Sequence, residues 1–361
     1  LAAGDSAAEL LGMIPGRAAD LLLVRRRQAF LAPGDPVLLD ALYNAILATK
    51  DHVFARAIDH VRRAFDPIAG PVPPPPLDQQ LDRPDLVLTL LERRAHPIAA
   101  EALRLAWDNA GALFRKDFAA YGIQGVEKVH AGSTIGKVVG FAQRLLGMPR
   151  TTVFLRQRPG RDVEGVLMSP AVVVLGGDCK DDTPETRYLL GVGMMAAHPA
   201  HALLLAQPEP GARAAWQALL SAFGPPEHGR GISPEIGRLA ASLWQQIPRA
   251  PQRRLGEILG ASPPAFETAL DGARQVARRT GLYLAGDLAA AVRSTLGEAG
   301  DTSLLRGRGP SELADVCASH PLVADLVRLA TSPEFAEARW RNPAAAARRR
   351  TPSGNLPSSN R

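Results

Sequence analysis

The chain has 361 residues, of which 46% are hydrophobic, 5% aromatic and 22% charged. That apolar share is enough for a sizeable core, built from Leu, Val and Ala more than from rings, and it excludes a chain disordered throughout. The formal net charge is +6, but the basic residues are nearly all Arg in an Ala-, Gly- and Pro-rich background, the mark of a GC-rich bacterial genome, and they lack the interleaved aromatics that stack on bases.

Residues 1–70 read as helices. Asp35 precedes Pro36 and a periodic apolar stretch, Val37 to Ala48, the pattern of an N-cap with Pro at the first helical position. Asp51 opens a second pattern in which Val53, Ala57, Ile58, Val61 and Phe65 recur at helical spacing. A helical hairpin follows from this, and the end of a helical-repeat array stays open, although no clean internal period occurs. Residues 71–84, with the run Pro73 to Pro76, cannot be helical and read as a stiff spacer.

Helices resume at Arg83-Pro84-Asp85 and run to Arg94, then from Pro97 to about Phe118, with Trp107 and Phe114 seven apart on one face. Ser133 to Leu146 is another helix. The period then changes. Thr151–Gln157, Gly165–Met168 and Ala171–Leu175 are short β-branched or apolar runs, and the simplest arrangement is a three-stranded meander over 151–175. Beyond Asp181 the pattern is helical again, in segments starting at Thr183, Gly211, Ser233, Pro263, Leu284, Pro310 and Leu322. Residues 344–361 are Arg-, Ser- and Pro-rich and are expected to be disordered. The fold class expected is mainly α, with a small sheet embedded in one large domain over 85–343.

The order of helices, small sheet, helix and further helices resembles the minimal core of gluzincin zinc peptidases. Thr152 to Leu155 is similar to the strand that opens that core. Gly165 to Leu175 is similar to the strand pair before the active-site helix, and Pro184 to Gly191 to the first turns of that helix. Gly281 to Leu284 is similar to the turn of sequence after the third-ligand motif. The resemblance is to the HtpX and CAAX-prenyl-protease type, and more to the divergent ligand-free copies appended to long helical-repeat proteins of deltaproteobacteria. It implies a zincin-like core. In such a peptidase two His at i and i+4 hold the metal, a Glu between them activates water, and a later Glu completes the site. The matching window here is Val192-Gly193-Met194-Met195-Ala196. Val192 and Ala196 replace the two His, Gly193 replaces the Glu, and Arg274 stands in place of the third ligand. The resemblance therefore implies an inactivated site with no metal and no cofactor.

Other patterns are weaker. His198 and His201 have a His-x-x-His spacing, but Pro199 between them ends or restarts the helix, so the rings need not converge. With Arg278 they are the candidate cleft residues for a ligand. Ala131 to Lys137 is similar to a phosphate-binding loop, but lacks its first Gly and its Ser/Thr, and no strand is expected before it; Ser133 reads as a helix cap. Asp181, Asp182 and Thr183 read as caps for the helix at Pro184. Cys317 with His320, and His228 in its loop, read as structural and solvated. Cys179 and Cys317 stand outside any C-x-x-C pair, which argues against a disulfide scaffold or a zinc ribbon and leaves open one bridge or two buried thiols.

No uncharged apolar run reaches the length of about 18 residues that spans a bilayer, and the first residues lack a signal-peptide pattern. A cytoplasmic location is expected, in a piece of a longer chain, since the sequence starts at Leu1. The function expected is a non-catalytic scaffold that binds protein partners, possible members of a larger assembly. One alternative is an enzyme or binding protein that reuses the cleft for an anionic ligand through Arg274, Arg278 or the two His. Another is nucleic-acid binding driven by the basic charge.

Overall fold

The computed structural model describes residues 2–66, 68, 70, 72–77, 84–298, 300 and 312–341. The expected disordered tail, 344–361, lies outside the described residues. Helices α1 (Ala2–Met13), α2 (Ala18–Leu31), α3 (Pro36–Thr49) and α4 (His52–Arg63) form the N-terminal layer, each packed on the next. The Asp35 carboxylate accepts from the N–H groups of Val37 and Leu38, and Asp51 accepts from Phe54, so both expected caps are in place. Then come α5 (Pro84–Glu92), α6 (Pro97–Ala110) and, after two short 3₁₀ turns, strand β1 (Val126–Lys128) and α7 (Thr134–Leu145). Three strands follow, β2 (Val153–Arg156), β3 (Val163–Val166) and β4 (Val172–Leu175), before α8 (Pro184–Ala196).

The remaining helices are α9 (Ala202–Leu205), α10 (Glu209–Phe223), α11 (Pro234–Gln246), α12 (Arg249–Ala261), α13 (Phe266–Ala285), α14 (Leu288–Glu298), α15 (Glu312–Ser319), α16 (Pro321–Ala330) and α17 (Pro333–Trp340). The molecule is mainly helical with a small sheet, as expected. No described helix is long and apolar enough to cross a membrane.

The sheet has four strands rather than three, in the order β1-β2-β4-β3. It is mixed and not a meander: β2 and β4 run parallel side by side, while β1 and β3 are antiparallel edges. The pair β2 and β4 is joined through β3, which crosses to the far side of β4. β1 was hidden because Val-Glu-Lys carries no apolar alternation. It also precedes the Ala131–Lys137 loop, contrary to expectation, but there Ser133 only caps α7 by accepting from the N–H of Gly136.

All four residues of β4 are buried, since both sheet faces are covered. Val173 and Leu175 face the main core with Val153. Val172 and Val174 face a smaller cluster with Ile123 and Val166, closed by Phe118 and Phe154 ring-to-edge. The main apolar cluster runs from Ala29 to Trp340, so helices on both sides of the proline run share it.

The proline run packs as a strap. Leu77 is buried. The guanidinium of Arg339, wholly buried, donates to the carbonyls of Pro75 and Tyr283 at 2.6 and 2.8 Å. Burial lowers its pKa to about 10, so it stays charged at neutral pH. His60 of α4 lies under the strap: Nδ1 donates to the Val72 carbonyl at 2.7 Å, and Nε2 accepts from the N–H of Leu288 at 3.1 Å. That pair of bonds needs the neutral ring. Burial accordingly lowers the His60 pKa, the carbonyl of Val72 and the charge of Asp287 opposing it.

A group that titrates lower when folded than when unfolded leaves stability intact above the unfolded value, about 6.5 for His, and removes it as pH falls below that. Denaturant unfolding is therefore expected to show stability falling from about pH 7 toward about pH 5, and a smaller drop in His60→Gln, which has no ring to charge. A drop of equal size in the variant would show that His60 does not contribute.

Candidate functional site

Thr183 caps α8 by accepting from the N–H of Thr186, with Pro184 at the first helical position. Asp182 instead pairs with Arg187 through two bonds, and Asp181 lends only its carbonyl, to the N–H of Thr183. The helix lies on β3 and β4 along one face and on α13 along another. Its contact with α13 is a crossing of two glycines. A Cβ at Gly191 would lie 2.7 Å from the Gly281 Cα, and one at Gly281 would lie 2.8 Å from the Tyr188 ring. Gly281 to Leu284 are helical and belong to α13, so the short motif expected to follow the third-ligand position is part of the crossing itself.

This crossing creates a cleft. Val192, Gly193 and Ala196 from α8 meet Arg274 and Arg278 from α13, beneath Val163 to Gly165 of β3, around a hollow of about 340 Å³. A second hollow, about 660 Å³, adjoins it past Val163, Val192 and Glu298 and reaches Glu185 and Arg293. The two form a groove along the edge strand.

All four positions matched to the peptidase motif, Val192, Gly193, Ala196 and Arg274, line this one cleft together with Arg278. The residues do not fit a zinc ion. Val192 and Ala196 offer no donor atom. A Cβ at Gly193 would lie 2.6 Å from Val173 Cγ1 and closer still to Val163 Cγ2, so the sheet occupies the space a glutamate would need. Arg274 presents a cation and is paired with Glu209 at 3.3 Å. The Arg278 guanidinium holds Glu298 at 2.9 Å. Burial raises the Glu298 carboxyl above its usual range, with Arg278 pulling the other way. Glu164 is tied to Arg156. Charges in the cleft are thus largely matched in pairs, though the Arg278 Nε is buried with no partner among the described residues.

His198 and His201 line neither hollow. α8 ends at Ala196, and the two rings flank the turn into α9 with centroids 5.9 Å apart. They converge after all, across the turn that holds Pro199. The third member of their group is Glu92, the last residue of α5: one ligand-type atom from each of the three lies within 4.8 Å of the others. Glu92 was not singled out in the sequence, where nothing local marks an acidic residue at a helix end as the neighbour of a remote His pair. Burial lowers His198 to about 4, helped by the charge of Arg104. Burial, then the neighbouring His198, lowers His201 to about 3. Burial raises Glu92, against the pull of Arg104.

Cys179 and Cys317 are both free and buried. Burial pushes the Cys317 thiol up to about 12, which makes it unreactive beside His320. His228 sits exposed in a 3₁₀ turn, Pro226–Gly229. No family model, curated protein or solved structure matches this chain.

Proposed function

We propose that the chain is a non-catalytic protein-binding module, built on a zinc-peptidase-like core whose metal position has been closed, and that it holds an extended segment of a protein partner along β3. The observation that carries this reading is the meeting of Val192, Gly193, Ala196 and Arg274 in one cleft where the resemblance puts the catalytic groups, with none of the four able to ligate a metal or activate water.

The strand geometry supports the mode of binding. The N–H of Gly176 donates to the carbonyl of Asp162, and the register pairs Glu164 with Val174. Alternation along an antiparallel pair then turns the N–H and C=O of Val163 and Gly165 away from β4; Val163 is part-exposed at the edge, while Gly165 is buried beside Ala196 and Ala206. An incoming strand would find its ladder partner at Val163, with the groove below for alternate side chains. The anionic-ligand alternative has less support, because Arg274 and Arg278 already hold Glu209 and Glu298. Nucleic-acid binding has no support in the site, whose charges are of both signs.

Val163→Pro tests the mode. It removes an outward N–H without touching the bonds to β4, a change an edge strand tolerates. A partner isolated by cross-linking to the wild-type chain is expected to lose at least about 10-fold in affinity for Val163→Pro, the worth of one to two hydrogen bonds, with the melting curve little changed. Unaltered affinity would overturn edge binding.

A further inference from the structure

Glu92, His198 and His201 form a second site, apart from the cleft, and we propose that it binds a divalent metal ion of the zinc class through two imidazoles and one carboxylate. This inference does not depend on the reading of the cleft.

Three observations converge on it. The donor set is sound: two His and one Glu within 4.8 Å of one another are the ligand types zinc takes at three protein positions, leaving a fourth for water. Around a tetrahedral ion with bonds of about 2.0–2.1 Å the ligand atoms stand roughly 3.4 Å apart, so small side-chain rotations close the site.

The second observation is an unmet need. His201 is 2% exposed, and its Nε2 has no hydrogen-bond partner. A buried polar nitrogen left without a partner is costly, and a metal ion would satisfy it. The Glu92 side chain makes no hydrogen bond among the described residues, although it is half-buried. Arg104 acts on both Glu92 and His198 through its charge, but no ion pair joins it to the carboxylate.

The third observation is the electrostatic setting. Glu92 is the last residue of α5, and His198 stands two residues beyond the end of α8. The C-terminal end of a helix carries partial negative charge, which disfavours a bare carboxylate and favours a cation. The long contact of 3.3 Å from the Ala200 N–H to His198 Nδ1 would be given up, since ligation at either ring nitrogen takes that lone pair or changes the tautomer. The ion would tie the end of α5 to the turn between α8 and α9, a link beyond the contacts that α5, α8 and α9 each make with α13.

The test is a titration of tag-free, chelator-stripped protein with Co²⁺, read by its visible absorption, followed by displacement with Zn²⁺ and elemental mass analysis. One equivalent of tightly bound ion is expected, with the strong visible bands of a four-coordinate site. Glu92→Gln, His198→Gln and His201→Gln are each expected to weaken binding about 100-fold or more, beyond the 10- to 100-fold that follows loss of a supporting hydrogen bond to a ligand. His228→Gln, in an exposed turn, should bind as wild type. Because His201→Gln alters a buried position and could unfold the chain, the weight rests on Glu92→Gln and His198→Gln, checked by circular dichroism. Absence of stoichiometric binding, or equal binding by those two variants and wild type, would overturn the proposal. Neither variant changes a cleft residue, so failure here leaves the partner-binding test unaffected.

Discussion

Asp325→Ala is expected to cost about 3–5 kcal/mol of stability, the usual consequence of stranding a buried charge. Asp325 of α16 holds Arg279 of α13 through two parallel bonds of 2.7 Å, with both side chains 7% exposed. Arg94, just past α5, adds a third bond at 3.1 Å from a more exposed position. One carboxylate therefore fastens three segments. Its removal leaves the Arg279 guanidinium in an apolar setting with no counter-charge. The paired replacement Arg279→Met with Asp325→Leu removes both charges and should recover most of the loss, because a buried ion pair gains little net stability over well-packed apolar groups. Urea unfolding of the two variants checks this. A loss below about 1 kcal/mol for Asp325→Ala would mean that water reaches Arg279 and the pair behaves as a surface bridge.

Gly191→Val is expected to be as damaging. The crossing of α8 and α13 leaves no room for a side chain at Gly191 or Gly281: a Cβ at either meets backbone or the Tyr188 ring below 3 Å. Overpacking of this kind typically costs about 1–3 kcal/mol and occasionally more. Here a β-branched side chain would force the helix axes apart, and Tyr188, whose hydroxyl meets Thr295 at 2.7 Å, would have to move with them. Gly191→Ala and Gly281→Ala should each destabilise, and the double variant should cost less than their sum, since the first displacement relieves the second. Gly256→Ala in α12, where a Cβ meets open space, is the control and should gain about 0.5–1 kcal/mol from helix propensity. Additive losses at 191 and 281 would show that the two glycines are not one contact. The same displacement would widen the cleft, whose walls are these two helices.

Much of the fold is legible from local physical signals. Caps at Asp35, Asp51, Ser133 and Thr183 each precede a helix and each accept from its first free N–H groups. The apolar runs of β2 and β4 stand out because both their faces are covered. Signals fail where packing decides. α12 carries few apolar residues, with only Leu255 and Leu259 buried, and the last turn of α17 holds Arg339, a charged residue wholly buried by contacts from the proline strap and α13. The strand order could not be read, since the crossing of β3 to the far side of β4 depends on which edge the helices leave open.

The site was partly legible in the same sense. Val192 and Ala196 lie four apart on one helix face, and Arg274 and Arg278 four apart on another, so each pair was visible as a pair. That the two faces meet depends on Gly191 and Gly281, whose role as a crossing has no local mark. His198 and His201 were visible as a spacing, but Pro199 pointed the wrong way about their geometry, and Glu92 could be joined to them only in three dimensions.

The most direct measurement for the central claim is hydrogen–deuterium exchange of the chain with its cross-linked partner, read together with the partner's intact mass after incubation with Zn²⁺. The account predicts slowed exchange at the amide of Val163 and a partner of unchanged mass. A Val163 amide that exchanges as fast as in the free chain, or a partner cut in the presence of zinc, would contradict it.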